Sequence, residues 1–266
     1  MRRTRSIAGF RRTVWEYYHR HARHGLPWRK TSDPYKILVS EIMLQQTQVS
    51  RVMEKYKEFL RAFPTVRALA RAPFADVLKT WSGLGYNRRA KYLHDAAKAI
   101  VAEHRGRIPS SYESLRSLPG IGDYTARAVR VFAFNEPDVL IETNIRTAFI
   151  HNIWKSDVYI SDKEIRLIAM RAAEGQDPRK WHFALMDYGA HLKHLGVRNN
   201  HRSAHYVKQS KFEGSVRQVR GAILRSLLQE EDISGLRNHY IRFDEATTSL
   251  ARDGFIRREG RTWLIA

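Results

Sequence analysis

From about residue 8 to residue 205, apolar side chains recur three and four positions apart, as in Ile37, Leu38, Ile42 and Met43 and again in Val129, Phe132 and Ala133. That spacing lays them along one face of an α-helix, and the alternation that a strand needs is almost missing there. The pattern predicts a body of packed helices. Short breakers divide it at Pro27, Asp33-Pro34, Phe63-Pro64, Ala72-Pro73, Gly83 and Gly85, Pro109, Pro119 to Gly122, and Pro137. After residue 207 the pattern changes. Residues 211–214 read as a linker, 215–228 as an amphipathic helix, and 234–240 and 243–252 as two shorter helices. Alternation through Phe255, Arg257, Arg258, Gly260, Trp263 and Leu264 predicts a β-hairpin. Three helices and a hairpin are the outline of a winged helix, a module that either enters a groove of duplex DNA or serves only for protein contact.

Charge narrows the choice of partner. The 47 Lys and Arg against 27 Asp and Glu give a formal charge of +20, which favours association with a polyanion and slows self-association. Nucleic acid is the first partner to expect, and a solvated basic surface is the alternative. The chain has no cysteine, which excludes disulfides, thiol nucleophiles and any cluster held by thiolates. No apolar run approaches the roughly 18 residues of a spanning helix. The arginine-rich start lacks the apolar core and cleavage site of a signal peptide. A soluble, cytoplasmic, nucleoid-associated monomer with no membrane contact is expected.

The densest local signal is Leu118-Pro119-Gly120-Ile121-Gly122, set between two amphipathic helices. Its glycines allow a tight turn and bring main-chain N–H groups, with the start of the second helix, against an anion such as a DNA phosphate. Such a contact reads no sequence. An ordinary helix–helix turn with a glycine cap is the other reading of the same string.

Two further segments decide between these. Together with the hairpin, Val39-Ser-Glu-Ile-Met-Leu-Gln-Gln-Thr-Gln-Val49 and Trp81-Ser-Gly-Leu-Gly-Tyr86 closely resemble the MutY branch of the endonuclease III superfamily, over about residues 10–205. The string S-E-x-M-L-Q-Q-T-Q is specific to that branch, whereas the hairpin is shared by many DNA-binding proteins. The resemblance implies a mainly α, two-lobed helix-hairpin-helix DNA glycosylase fold, here followed by a small winged-helix-like domain. The helical barrel with the hairpin would span 29–136, the second helical domain 1–28 and 137–207, and the winged-helix-like domain 215–266.

The resemblance also distributes roles. Glu41 matches the acid that protonates a flipped adenine. Gln45, Gln46 and Thr47 match the wedge that fills the gap left by the base, and Trp28 and Tyr86 match positions lining or supporting the base pocket. Leu118, Gly120, Gly122 and Thr125 would contact DNA at the hairpin, and Asn144 would support the sugar site. Bifunctional relatives place a lysine in the second hairpin helix that attacks the sugar. The aligned residue here is Tyr124, so a monofunctional glycosylase is implied.

Two departures from the family pattern stand out. The family carries an Asp that stabilises the positive charge developing on the sugar. Here the aligned stretch Leu140-Ile141-Glu142-Thr143-Asn144 places Glu142 there, one methylene longer. Asp138 lies outside the aligned motif and reads as a turn residue. Most relatives also bind an iron–sulfur cluster through four cysteines after a stretch like Ala184-Leu-Met-Asp-Tyr-Gly189. This chain instead has His191, His194, His201 and His205 among the basic residues Lys193, Arg198, Arg202 and Lys208. No cofactor and no metal are expected; Lys193, Arg198, Arg202 and Lys208 read as facing DNA, and a metal site on the histidines is the alternative. The implied activity is hydrolysis of the bond between deoxyribose and a mispaired base in duplex DNA, adenine opposite guanine or 8-oxoguanine. Removal of thymine or uracil opposite guanine, and non-catalytic recognition of a lesion or DNA structure, are the alternatives.

Overall fold

In chain order, the helices of the computed structural model are α1 (Ile7–His21), α2 (Pro34–Leu44), α3 (Val49–Ala62), α4 (Val66–Arg71), α5 (Phe74–Trp81), α6 (Arg88–Glu103), α7 (Tyr112–Ser117) and α8 (Asp123–Phe134). They continue with α9 (Thr143–Ile153), α10 (Asp162–Ala173), α11 (Pro178–His194), α12 (Val216–Leu228), α13 (Leu236–His239) and α14 (Phe243–Arg252), followed by strands β1 (Ile256–Glu259) and β2 (Thr262–Ile265). The structure describes residues 6–154, 159–203, 211–260 and 262–266. The chain divides into two compact units, one formed by 1–41, 109–117 and 121–208 and the other by 42–108, 118–120 and 209–266.

The first unit contains α1, most of α2, and α7 to α11. In this unit α2 starts at the expected breaker Pro34 and α8 directly after Gly122, while side-chain caps start α10 and α11, where no breaker was singled out. Ser161 and Glu164 close a reciprocal capping box on α10. Asp177 accepts the Lys180 N–H at 2.7 Å to cap α11, with Pro178 at the first helical position. The core centres on Phe10, whose ring lies 4.8 Å from Phe149 and edge-on to Trp181 at 6.2 Å. Each of these fully buried rings contributes on the order of 2–3 kcal/mol through lost water contact. Phe132 of α8 stacks on Phe183 of α11 at 4.8 Å. Asp187 of α11, 2% exposed, receives both guanidinium nitrogens of Arg29 at 2.7 and 2.8 Å, and Arg23 through Nε at 2.5 Å and its backbone N–H at 3.0 Å. Burial pushes the Asp187 carboxyl up, but the Arg29 hydrogen bond and the two positive charges hold it below its ordinary value.

The second unit contains α3 to α6 and the C-terminal module. Trp81, fully buried, packs edge-on against Phe59 at 5.9 Å. The module has the elements expected of it, three helices and an antiparallel hairpin in which Ile256 pairs with Ile265 and Glu259 with Thr262. Phe255 is fully buried, 5.7 Å from Phe74 of α5. Asp253 joins Arg88 of α6 at 2.5 Å to Arg220 of α12 at 2.7 Å. These contacts are why residues 209–266 group with α5 and α6, while the Phe132–Phe183 stack ties α8 to α11. The division by contacts therefore runs differently from the three segments that the resemblance implies.

Candidate active site

Glu41, Tyr124, Glu142 and Asn144 all belong to the first unit, carried by α2, α8 and the start of α9. Glu41 is 6% exposed. Burial pushes its carboxyl up to about 7; a hydrogen bond from Tyr124 works against this, and the charge of Glu142 adds to it. Burial, and then the charges of Glu41 and Glu142, drive the Tyr124 phenol well above its ordinary value, so it stays a neutral donor to Glu41. The structure thus brings together the two carboxyls and the tyrosine that the sequence comparison singled out.

Glu142 sits at the cap position of α9 and turns its side chain back so that Oε1 accepts the Ile145 N–H at 2.9 Å. Burial raises this carboxyl, whereas the N–H groups of Asn144 and Ile145 and the charges of Lys193 and Arg146 favour its ionised form. His182 fixes the chain leading to it: its Nε2 accepts the Leu140 N–H at 3.2 Å while Nδ1 pairs with the Pro178 carbonyl at 2.7 Å. Burial lowers this imidazole to about 4, which keeps it neutral and able to accept. On the other side, α11 approaches the backbone of Asn144 so closely that a Cβ at Gly189 would lie 2.0 Å from the Asn144 carbonyl oxygen.

Asp138 lies in the turn between α8 and α9, as expected. It is pinned between Arg127 at 2.6 Å and Arg130 at 2.8 Å on α8, which leaves Glu142 as the carboxyl at the start of α9. Lys193, read from sequence as a basic residue facing DNA, contributes its charge at Glu142 and is itself lowered chiefly by burial. Trp28 is buried in the 3-10 turn Pro27–Arg29. A cavity of about 230 Å³ is lined by Tyr124, Ile141, Arg127 and Arg166 among others. Neither Glu41 nor Glu142 lines it.

At the hairpin, Gly120 has φ +71°, and a Cβ there would lie 2.3 Å from that of Tyr92. This position therefore requires glycine. Gly122 precedes α8 with ordinary backbone angles and no protein atom in the way of a Cβ. Leu118 and Thr125 are buried, at 3% and 2% exposure, so their side chains are not presented to a phosphate. Gln45, Gln46 and Thr47 form the turn between α2 and α3, with Gln46 exposed at φ +54°. Tyr86 is 41% exposed at φ +50°.

The segment after α11 does not fit an iron–sulfur cluster, because the chain holds no thiolate. His205 and Lys208 lie outside the described residues, and among the described residues no three His, Asp or Glu side chains come together to hold a metal. His191 stacks on Tyr17 at 4.5 Å. The Asn199 side chain donates to the Thr147 carbonyl at 3.1 Å, and Ile160 bonds Arg202 and bridges Ser203, tying this segment to α9 and to the start of α10. No helix among the described residues is long and apolar enough to cross a membrane.

Residues 39–205 match the HhH-GPD superfamily base excision DNA repair protein family. The chain belongs to this superfamily. It is 37% identical over 223 residues to an adenine DNA glycosylase of Mycolicibacterium smegmatis, covering 77% of this chain and 75% of that one. It is 37% identical over 185 residues to an adenine DNA glycosylase of Buchnera aphidicola, covering 68% of this chain and 52% of the relative. The chain thus spans about half the length of the Buchnera relative. Among solved structures it is similar to a thermostable thymine-DNA glycosylase, with a TM-score of 0.62 and 26% identity over 69% of this chain and 86% of the other. The mainly helical fold of the superfamily is therefore present, as the resemblance implied.

Proposed function

We propose that the protein is a monofunctional DNA glycosylase that hydrolyses the N-glycosidic bond of a mispaired base in duplex DNA, adenine opposite guanine or 8-oxoguanine. The observation that carries this reading is the buried Glu41, held near 7 and hydrogen-bonded by Tyr124. Neutral adenine is a poor leaving group, and an acid whose pKa lies near the working pH can protonate its N7 and lower the barrier. The C1′–N9 bond then breaks with its electron pair moving to the base, and water adds to the sugar to leave an abasic site. Glu142, whose carboxyl burial raises while the first N–H groups of α9 and the charges of Lys193 and Arg146 work against this, stabilises the positive sugar in its ionised form. Asn144 supports the sugar from the same turn. Tyr124 stands where bifunctional relatives have lysine, and a phenol forms no Schiff base, so the strand stays intact.

In this reading Leu118, Gly120, Gly122 and Thr125 take the hairpin's phosphate-binding role, Gln45, Gln46 and Thr47 the wedge role, and Trp28 and Tyr86 the base-pocket roles that the resemblance gives them. Extrusion is required because the bond is out of reach inside the stack. The charge of +20 supplies sequence-independent attraction. It suits a monomer bound to DNA in the cytoplasm, at the nucleoid. Two named adenine DNA glycosylases among the relatives support the substrate assignment. The likeness to a thymine-DNA glycosylase favours a second reading, release of thymine or uracil opposite guanine, which needs no N7 protonation.

Single-turnover base release on duplexes holding A opposite 8-oxoguanine, A opposite G, T opposite G and U opposite G separates these readings. Release of adenine, lost in Glu142→Ala and in Glu41→Gln, is expected. Release of a pyrimidine that survives Glu41→Gln would move the assignment to the second reading. Tight binding with no release from any duplex would leave a DNA-recognition protein without catalysis.

A further inference from the structure

Arg89, in the first turn of α6, is 7% exposed, and no carboxylate among the described residues pairs with it. Its Nη1 reaches the carbonyls of Ile42, Met43 and Gln45 at 3.0, 2.8 and 2.6 Å. Its Nη2 reaches the Thr47 hydroxyl at 3.0 Å and the carbonyls of Leu84 and Gly85 at 3.1 and 3.0 Å. Ile42 and Met43 lie in the last turn of α2, whose carbonyls have no partners within the helix. The guanidinium also lies over the rings of Trp81 at 5.4 Å and Tyr86 at 5.5 Å. One planar fork therefore serves two turns at once. Each turn contains a non-glycine residue at positive φ, Gln46 at +54° and Tyr86 at +50°, a conformation that persists only where the surroundings impose it. A cation buried without a counter-charge is costly, and here five carbonyls, the Thr47 hydroxyl and two aromatic faces meet it.

We propose that Arg89 is the positioning residue that locks the Gln45–Thr47 turn to the Gly83–Tyr86 turn, and thereby sets the geometry in which this chain holds a base out of the duplex. All the residues of this network lie in the second unit. Lysine does not replace the fork, because an ammonium presents its donors from a single point. The inference rests on the glycosylase reading, and it concerns the opening of the stack rather than breakage of the bond.

The test reads extrusion apart from chemistry. In full-length Glu41→Gln protein, bound at saturation to a duplex with 2-aminopurine beside an adenine opposite 8-oxoguanine, the fluorescence rise reports unstacking. Adding Arg89→Lys or Arg89→Met is expected to reduce that rise while the duplex remains bound. With Glu41 intact, the same changes should slow single-turnover release by about tenfold to a hundredfold without moving the midpoint of its pH dependence. If Arg89→Met does not fold, Arg89→Lys and Thr47→Val, which removes a single acceptor, read the same signal. An unchanged rise in the folded Arg89 variants would overturn the proposal. So would a loss that matches only the fraction of unfolded protein, or the absence of any rise with Arg89 in place. Failure of the parent chain to release any base, with the rise present and dependent on Arg89, would sink the catalytic reading and leave this one standing.

Discussion

Glu41 gives the fold an internal conflict that can be measured. Its carboxyl titrates at about 7 in the folded chain against an ordinary 4.5, so folding favours the neutral form. Stability from this group is complete below about 4.5 and is lost as pH rises through 7. Glu41→Gln, which cannot ionise, should therefore raise stability at pH 8 by about 1–3 kcal/mol and change it little at pH 5, as read by denaturant unfolding at the two pH values. Loss of stability at both would mean that the carboxylate is ionised and well paired. Glu41 and Glu142 were legible in the sequence because each sits in a string with a recognisable spacing. Arg89 and Lys193 were not. In a chain with 47 Lys and Arg, one more basic residue looks like surface charge until its acceptors are seen. Asp138 lies in the turn before α9 as expected, but its pairing with α8 was not legible, since those partners lie eight and eleven residues away.

At the scale of elements, the carboxyl at the start of α9 depends on how α9 meets α11. Gly189 is the closest point of that contact, and a methyl group there would meet the Asn144 carbonyl oxygen at 2.0 Å. Gly189→Ala should cost about 1–3 kcal/mol of folding stability through overpacking against backbone. It should also slow base release, because the displaced turn holds Glu142. Full stability together with full activity would contradict the close approach. The helices themselves were readable from apolar spacing and breakers, and their caps follow residue types visible in the sequence, as with Ser161 and Asp177. The tie between Asn199 and Thr147 was not readable, because an Asn in a polar stretch carries no sign of a partner 52 residues away.

At the scale of the whole chain, charge and packing separate. Residues 211–266 carry ten Lys and Arg against eight Asp and Glu, so nearly all of the net charge of +20 lies in the preceding residues. The C-terminal elements were predicted from their periodicity, but their place beside α5 and α6 was not. It depends on Phe255 meeting Phe74 and on Asp253 meeting Arg88, contacts over more than 160 residues of sequence. In the proposed reaction a protonated Glu41 and an ionised Glu142 act together on a base held out of the duplex. The most direct test is the pH dependence of single-turnover adenine release from a duplex with adenine opposite 8-oxoguanine. Because both carboxyls are raised, the rate should fall above about 7 as Glu41 loses its proton, and fall on the acid side as Glu142 gains one. Glu41→Gln should abolish release across the range. A rate that keeps rising beyond pH 8, or adenine release that survives Glu41→Gln, would contradict the account.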